Sequence, residues 1–379
     1  MNVPLLDLRA QYASIRDEIR TAVDEVLESQ YFILGPKVEE LERAVAAYTG
    51  ARFAVGVSSG TDALLASLMA LDVGPGDEAV TTPFTFFSTA GAVSRLGARP
   101  VFVDIDPASF NMNPARLEKA LTPKTKAVIP VHLFGQCADM DPILEVCRRR
   151  GVPVVEDAAQ SIGADYKGRR AGAMGALGIF SFFPSKNLGA FGDGGMVVTS
   201  DAGLAERVRM LRTHGEHQRY FHREVGGNFR LDALQAAVLL VKLGHLDDWS
   251  AGRLRNARYY SGKLEESGLT AEGLITTPTM LYEKGGGRNH HIFNQYTLRV
   301  RKRDGLKAFL QERGVMTAVY YPVPLHLQEC YKDLGYKKGD FPESEKAAGE
   351  VLSLPVYPEL MDGQRDFVVA AITEFYKAR

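Results

Sequence analysis

Three short segments carry residues whose types and spacing could do chemistry, and a fourth could support them. The first is Ser181-Phe182-Phe183-Pro184-Ser185-Lys186-Asn187. It places a lysine in a glycine-rich loop just after an aromatic-rich run. A desolvated amine there would have a lowered pKa and could act as a Schiff-base nucleophile. The plainer reading is a solvated surface lysine. The second is Glu156-Asp157-Ala158-Ala159-Gln160-Ser161, where two carboxylates end an apolar run and Gln160 follows three residues after Asp157. A carboxylate in that place can pair with a protonated ring nitrogen. It can equally cap a helix and do no chemistry. The third is Ser58-Ser59-Gly60-Thr61-Asp62-Ala63, a small-residue turn between a strand pattern and a helix pattern. The free amides of a helix start and the nearby hydroxyls suit a phosphate. An ordinary N-cap would look the same. The fourth is Phe84-Thr85-Phe86-Phe87, in which Phe86 or Phe84 could stack on a planar ring or pack in the core. Together the segments supply a phosphate cradle, a carboxylate for a ring nitrogen, an amine nucleophile and an aromatic platform. Those are the parts that pyridoxal phosphate (PLP) needs.

These segments must be positioned by a scaffold, and the pattern around them predicts one. Strand runs fall at 52–57, 78–82, 99–105, 127–133 and 152–157, with helical patterns at 60–72, 86–96, 114–121 and 139–150. Such alternation predicts parallel βαβ units and an α/β sheet covered on both faces. LGIFSFF (177–183) and GGMVVTS (194–200) read as two more strands flanking a loop. Helices are predicted at 14–28 and 37–49, with Gly35-Pro36 between them. After residue 200 come a helix at 202–212 and a long helical run at 230–264. A glycine-rich loop at 283–291, the strand NQYTLRVR (294–301), a helix at 303–313, AVYYPVP (318–324) and a closing helix at 363–378 then suggest an α+β unit. The reading is a large α/β domain over 1–249, including the N-terminal helices, and a smaller α+β domain over 250–379. Ligands of open α/β sheets bind beyond the carboxyl ends of the strands, where the chemical segments fall.

Composition excludes several classes. The 379 residues hold 45 basic and 46 acidic side chains, so no basic excess points to nucleic acid. Three cysteines (Cys137, Cys147, Cys330) are too few for a disulfide scaffold and predict reduced thiols. No apolar run is long enough to cross a membrane and no secretory signal opens the chain, so a cytoplasmic protein is expected. His214, His217 and His222 cluster and His290-His291 adjoin, but no tetrahedral ligand pattern accompanies them, and no metal is expected. Arg253, Arg255 and Arg258 form a basic run that could touch nucleotide phosphates but reads more simply as a solvated helix face, and Trp249 reads as packing at the domain junction.

The segments also resemble a known family, the fold-type I PLP sugar aminotransferases of the DegT/DnrJ/EryC1/StrS group. SSGTDAL (58–64), VVEDAAQSIGA (154–164), FSFFPSKNLGAFGDGG (180–195), GGNFRLDALQAA (226–237) and AVYYPVPLH (318–326) carry the resemblance, with PLLDLRAQY and ILGPKVEELE near the start. It spans essentially the whole chain in order. It implies a large domain with a mainly parallel seven-stranded sheet between helices and a small C-terminal domain. It further implies that Lys186 is the catalytic lysine, Asp157 the partner of the pyridine nitrogen, Gln160 a contact to the ring hydroxyl, and Phe86 the stacking ring. Gly60, Thr61 and Ser181 would hold the phosphate, joined by Asn228 from the second subunit of a homodimer. Tyr31, Arg230, Tyr320 and Tyr321 would line the substrate pocket. L-Glutamate is the usual amino donor in the family. Dehydratase relatives hold histidine at the lysine position, so Lys186 favours transamination; the complete lysine, aspartate and glutamine set also argues against a purely regulatory chain. The stretch 214–232 looks like members acting on nucleotide-linked 3-keto sugars, such as UDP-2-acetamido-3-keto-glucuronate or dTDP-3-keto-6-deoxyhexose, in amino-sugar and polysaccharide synthesis. Amination of a 4-keto sugar and a PLP-binding regulator without turnover are the alternatives.

Overall fold

The computed structural model describes residues 1–283, 287 and 289–377. Its centre is a sheet assembled from two ladders. Strands β1 (Phe53–Val57), β9 (Gly195–Thr199), β8 (Leu177–Ser181) and β5 (Val155–Asp157) hydrogen-bond in that order. Strands β3 (Arg99–Phe102), β2 (Glu78–Thr81) and β4 (Thr125–Val128) form an all-parallel second ladder. Parallel bridges Val128–Val154 and Val131–Asp157 join the two, so four strands and three make seven. Only β9 reverses direction, antiparallel to both β8 and β1, because the loop carrying Lys186 leads straight back along the sheet. The strands are buried along nearly their whole length. Both faces are therefore covered, which accounts for the continuous apolar runs in the sequence.

Helix α4 (Gly60–Ala70) is apolar almost all round and lies against β8 and β9, with Leu64, Leu65 and Leu68 buried. Around the sheet lie α5 (Ser88–Arg95), α6 (Pro114–Ala120), α7 (Met140–Arg150) and α8 (Ala202–Leu211). The predicted N-terminal pair appears as α2 (Arg16–Ser29) and α3 (Pro36–Thr49), the latter opened by Pro36 and closed by Gly50 in the left-handed region. A short α1 (Leu8–Ser14), capped by the Asp7 carboxylate on the amides of Arg9 and Ala10, precedes them. Helix α9 (Ala233–Glu266) is one unbroken run of 34 residues, about 50 Å long. Its first half packs on α2 and α3. Its second half meets α12 (Asp362–Lys377).

The C-terminal part has its own core of Tyr260, Leu264, Tyr296, Leu298, Leu310, Leu352 and Ile372. It is built on the antiparallel strands β12 (Ile275–Thr276), β13 (Tyr296–Val300) and β14 (Val351–Leu354), with helices α10 (Arg303–Glu312) and α11 (Pro342–Glu350). Val3 reaches across from the N-terminus, pairs with Val315 and joins this core. Segment 318–324 forms no strand: Ala318 makes one bridge to Ser353 and the chain then runs irregularly. Pro322 and Pro324 lack the N–H groups a ladder needs. Two small ladders lie outside the main sheets, β6 (Asp165–Tyr166) with β7 (Arg169–Arg170), and β10 (Glu216–Gln218) with β11 (Phe221–His222). Of the glycine-rich loop, positions 284–286 and 288 lie outside the described residues, as does position 378 of the closing helix.

Candidate active site

Beyond the carboxyl ends of β5 and β8 opens a cavity of about 580 Å³. Its wall brings together Ser59, Gly60, Thr61, Phe86, Asp157, Gln160, Ser181, Lys186, Tyr320 and Tyr321. Nine of these had been singled out from the sequence. The volume falls in the usual range for small-molecule and cofactor sites.

At one end, β1 runs into α4. Ser59 caps the helix by accepting from the amide of Asp62 at 3.0 Å, and the hydroxyls of Ser58 and Ser59 both donate to the Asp62 carboxylate. The capping reading of this segment is thus correct. It does not displace the phosphate reading, because the amides of Gly60 and Thr61 come before the first intrahelical bonds and both residues line the cavity. Gly60 is needed for close approach: a Cβ there would lie 2.7 Å from the Ser181 Cβ. The cradle and the end of β8 could not otherwise meet.

In the middle, β5 delivers Asp157. No helix follows it; residues 158–164 form turns, so the helix-cap reading fails. Its Oδ2 accepts from the Thr89 hydroxyl at 2.8 Å and its Oδ1 from the Ala159 amide at 3.2 Å. Burial pushes the carboxyl up from the usual range, opposed by the Thr89 and Ala159 donors and the charge of Lys186. Gln160 is fixed at both ends: Oε1 accepts from the Phe134 amide at 2.7 Å and Nε2 donates to the Tyr321 hydroxyl at 3.1 Å.

Lys186 enters from the loop after β8. Burial pushes its amine down to about 8, partly opposed by the Asp157 carboxylate. Lys186 is half-buried and lines the cavity, which favours the nucleophile reading over a solvated surface lysine. The loop is held by its neighbours: the Asn187 amide donates to the Ile292 carbonyl at 3.0 Å, and Ala190 N–H donates to the Phe182 carbonyl at 2.8 Å. Phe86 keeps 56% of its surface, unusual for a phenylalanine, and faces the cavity. Phe84 is fully buried against Phe110 and Tyr321 and serves the core instead.

Tyr31, Asn228 and Arg230 do not line this cavity in the same chain. Tyr31 follows α2 and is exposed, lying against Gly35. Asn228 bridges to Thr213 and is exposed, while Arg230 bridges to Val57 at the edge of the sheet. Sequence reasoning missed Thr89, 68 residues from its carboxylate partner, and Gln295, which lines the cavity from the C-terminal part with a buried Oε1 that has no partner among the described residues. No local motif marks either one. Among the described residues no group of three or more His, Cys, Asp or Glu could hold a metal, and no helix is long and apolar enough to cross a membrane.

The donor set fits a phosphorylated pyridine aldehyde. Amides and hydroxyls at Gly60, Thr61 and Ser181 would take the phosphate, Asp157 the ring nitrogen, Gln160 the ring hydroxyl, and the amine of Lys186 the aldehyde carbon.

Comparison with known proteins bears on this fit. The DegT/DnrJ/EryC1/StrS aminotransferase family matches residues 13–373. A pleiotropic regulatory protein of Geobacillus stearothermophilus is 52% identical, covering 100% of this chain and 99% of its own. A UDP-N-acetyl-3-dehydro-alpha-D-glucosamine 3-aminotransferase of Acidithiobacillus ferrooxidans is 45% identical over 96% of this chain and 95% of its own. The crystal structure of Streptomyces venezuelae DesV, in complex with a ketimine intermediate, superposes with a TM-score of 0.93 at 43% identity and covers 99% of both chains.

Proposed function

The chain belongs to the DegT/DnrJ/EryC1/StrS aminotransferase family, and from that premise we propose that it moves an amino group from L-glutamate to C3 of a nucleotide-linked 3-keto sugar. It is a PLP-dependent sugar aminotransferase. The observation that carries the reading is the convergence of Lys186, Asp157 and the Gln160–Tyr321 pair on one cavity beside the α4 cradle. When bound, PLP supplies the electron sink for chemistry at the amino-acid Cα.

The residues divide the remaining work. Lys186, with its amine pushed down to about 8, is able to take a proton from the substrate carbon and give it back. Asp157 holds a proton on the ring nitrogen, and Thr89 keeps the carboxylate turned into place. Gln160, anchored by the Phe134 amide and Tyr321, orients the ring hydroxyl. Gly60, Thr61 and Ser181 bind the phosphate. Phe86 covers the ring face. Tyr320 and Tyr321 line the sugar side.

Tyr31, Asn228 and Arg230 complete the pocket of a second copy, with Asn228 reaching the partner's phosphate, so the active form is a homodimer. Support comes from the exposure of Tyr31 and Asn228 on this chain and from the exposed apolar groups near Asn228: Tyr220 keeps 77% of its surface, Phe221 60% and Val225 90%. Patches of that kind mark interfaces. The division into a large domain (1–249) and a small one (250–379), meeting within α9, belongs to the same reading. So does a cytoplasmic location, which the free Cys137, Cys147 and Cys330 suit.

Amination at C3 is preferred to C4 because the Acidithiobacillus relative is a 3-aminotransferase. The sugar is a UDP-linked 3-keto uronate or a dTDP-linked 3-keto-6-deoxyhexose. The test offers PLP-loaded protein paired 3-keto and 4-keto nucleotide sugars with L-glutamate, and follows 2-oxoglutarate and the amino sugar. Consumption of the 3-keto isomer is expected; preference for the 4-keto isomer overturns the assignment.

A further inference from the structure

Glu156, the residue before Asp157, has no part in the chemistry above. Successive side chains on a strand point to opposite faces, so Asp157 faces the cavity and Glu156 faces away. Its carboxylate is fully buried and accepts four hydrogen bonds. Oε1 takes the amides of Met174 and Gly175, each at 2.6 Å. Oε2 takes the amide of Gly172 and the imidazole of His132, each at 2.8 Å. The 172–175 turn closes round the carboxylate because it is built on glycine. A Cβ at Gly175 would lie 2.6 Å from the Val154 carbonyl oxygen, and one at Gly172 2.6 Å from the Phe180 ring.

His132 is equally buried, and its tautomer follows from its partners. The Ala138 amide donates to Nδ1 at 3.0 Å, so Nδ1 is bare and the ring proton sits on Nε2, facing Glu156. The backbone of His132 in turn holds both ends of the turn that carries the cofactor-facing side chains. Its N–H donates to the Asp157 carbonyl at 2.9 Å, and its carbonyl accepts from the Ser161 hydroxyl at 2.6 Å. Two residues on, the Phe134 amide holds Gln160. Glu156 thus bonds to the His132 ring, the His132 backbone bonds to both ends of the 157–161 turn, and two residues along the chain the Phe134 amide bonds to Gln160.

We propose that Glu156 is a positioning residue for cofactor binding: its buried carboxylate, acting through His132, fixes the turn that presents Asp157 and Gln160. The proposal rests on the PLP reading above. A buried carboxylate with only donors around it cannot be replaced by an amide without conflict. In Glu156→Gln the new NH₂ group meets two incoming N–H groups whichever way it turns.

The test measures the dissociation constant of PLP by titrating it into the full-length protein stripped of cofactor, alongside thermal unfolding of the same stripped samples. Glu156→Gln is expected to weaken PLP binding by about tenfold or more, the scale of a lost hydrogen bond to a charged group. A His132 pair keeps the test decisive if that variant fails to fold. His132→Gln retains a donor at the Nε2 position toward Glu156, whereas His132→Asn retains only an acceptor toward Ala138. The proposal predicts that His132→Gln binds PLP within about threefold of wild type and that His132→Asn loses about tenfold. Equal PLP affinity in the two His132 variants, or lowered thermal stability in Glu156→Gln with wild-type affinity, overturns the proposal while leaving the cofactor reading intact. Failure of the wild-type protein to bind PLP overturns both.

Discussion

The floor of the cavity and the rim we propose a second copy supplies are built on opposite plans. On the floor, Asp157 is held by Thr89 and Gln160 by Phe134 and Tyr321, and behind the floor Glu156 is held by four donors, all within the one chain. The proposed rim, Tyr31 and residues 214–230, does not line the cavity of its own chain; it carries the exposed rings of Tyr220 and Phe221 at the β10–β11 hairpin and the two exposed pocket candidates Tyr31 and Asn228. A buried polar network must be satisfied within the chain, since each unpaired group is costly. An exposed apolar rim has its counterpart elsewhere, in the second copy we propose. The floor should therefore respond to substitution as a single-chain device and the rim as a shared one.

The largest effect is expected on the floor. Lys186→Ala should lower the rate of the L-glutamate half-reaction by about 10⁴-fold or more in single-turnover kinetics, because both nucleophile and proton carrier are lost. Asp157→Asn keeps the shape and removes the charge. It should cost on the order of 10²–10³-fold in the same assay, comparable to removal of a preorganised electrostatic partner.

The pH dependence follows from the Lys186 amine. Burial has lowered it from an ordinary lysine value to about 8, so the amine is protonated below that pH and a neutral nucleophile above it. Covalent loading of PLP onto stripped protein should accelerate with rising pH and level off past a midpoint near 8. A rate still climbing toward pH 10 would mean that the amine is solvated.

The rim is tested by mixing. Asn228→Ala and Lys186→Ala should each be impaired alone. Unfolded together and refolded as mixed dimers, they should recover roughly a quarter of wild-type activity, since half of the dimers are mixed and each keeps one complete site. No recovery would place Asn228 in its own chain's site or outside any site. The smallest effect belongs to Thr89→Val, which deletes one hydrogen bond to Asp157 and should slow the half-reaction severalfold.

The same contrast explains what could be read from the sequence. The seven central strands were legible because strands buried on both faces are continuous apolar runs bounded by glycine and polar turns. The chemical groups of the floor were legible because each sits within a few residues of a strand end, where α/β sheets place their ligands. Their supports were not. Thr89 lies 68 residues from Asp157 and His132 lies 24 from Glu156, and no local pattern marks such pairs. The β10–β11 hairpin was invisible because its strands are too short and polar to show alternation. Helix α1 escaped because it is seven residues long. Segment 318–324 read as a strand from its aromatic and β-branched content, and its two prolines decided otherwise.

The most direct test of the central claim is the visible spectrum of the PLP-loaded protein, recorded before and after L-glutamate and again after a nucleotide-linked 3-keto sugar. The account predicts that glutamate discharges the band of the lysine-bound cofactor and that the keto sugar restores it as the amino sugar forms. A band that responds to neither addition would contradict it.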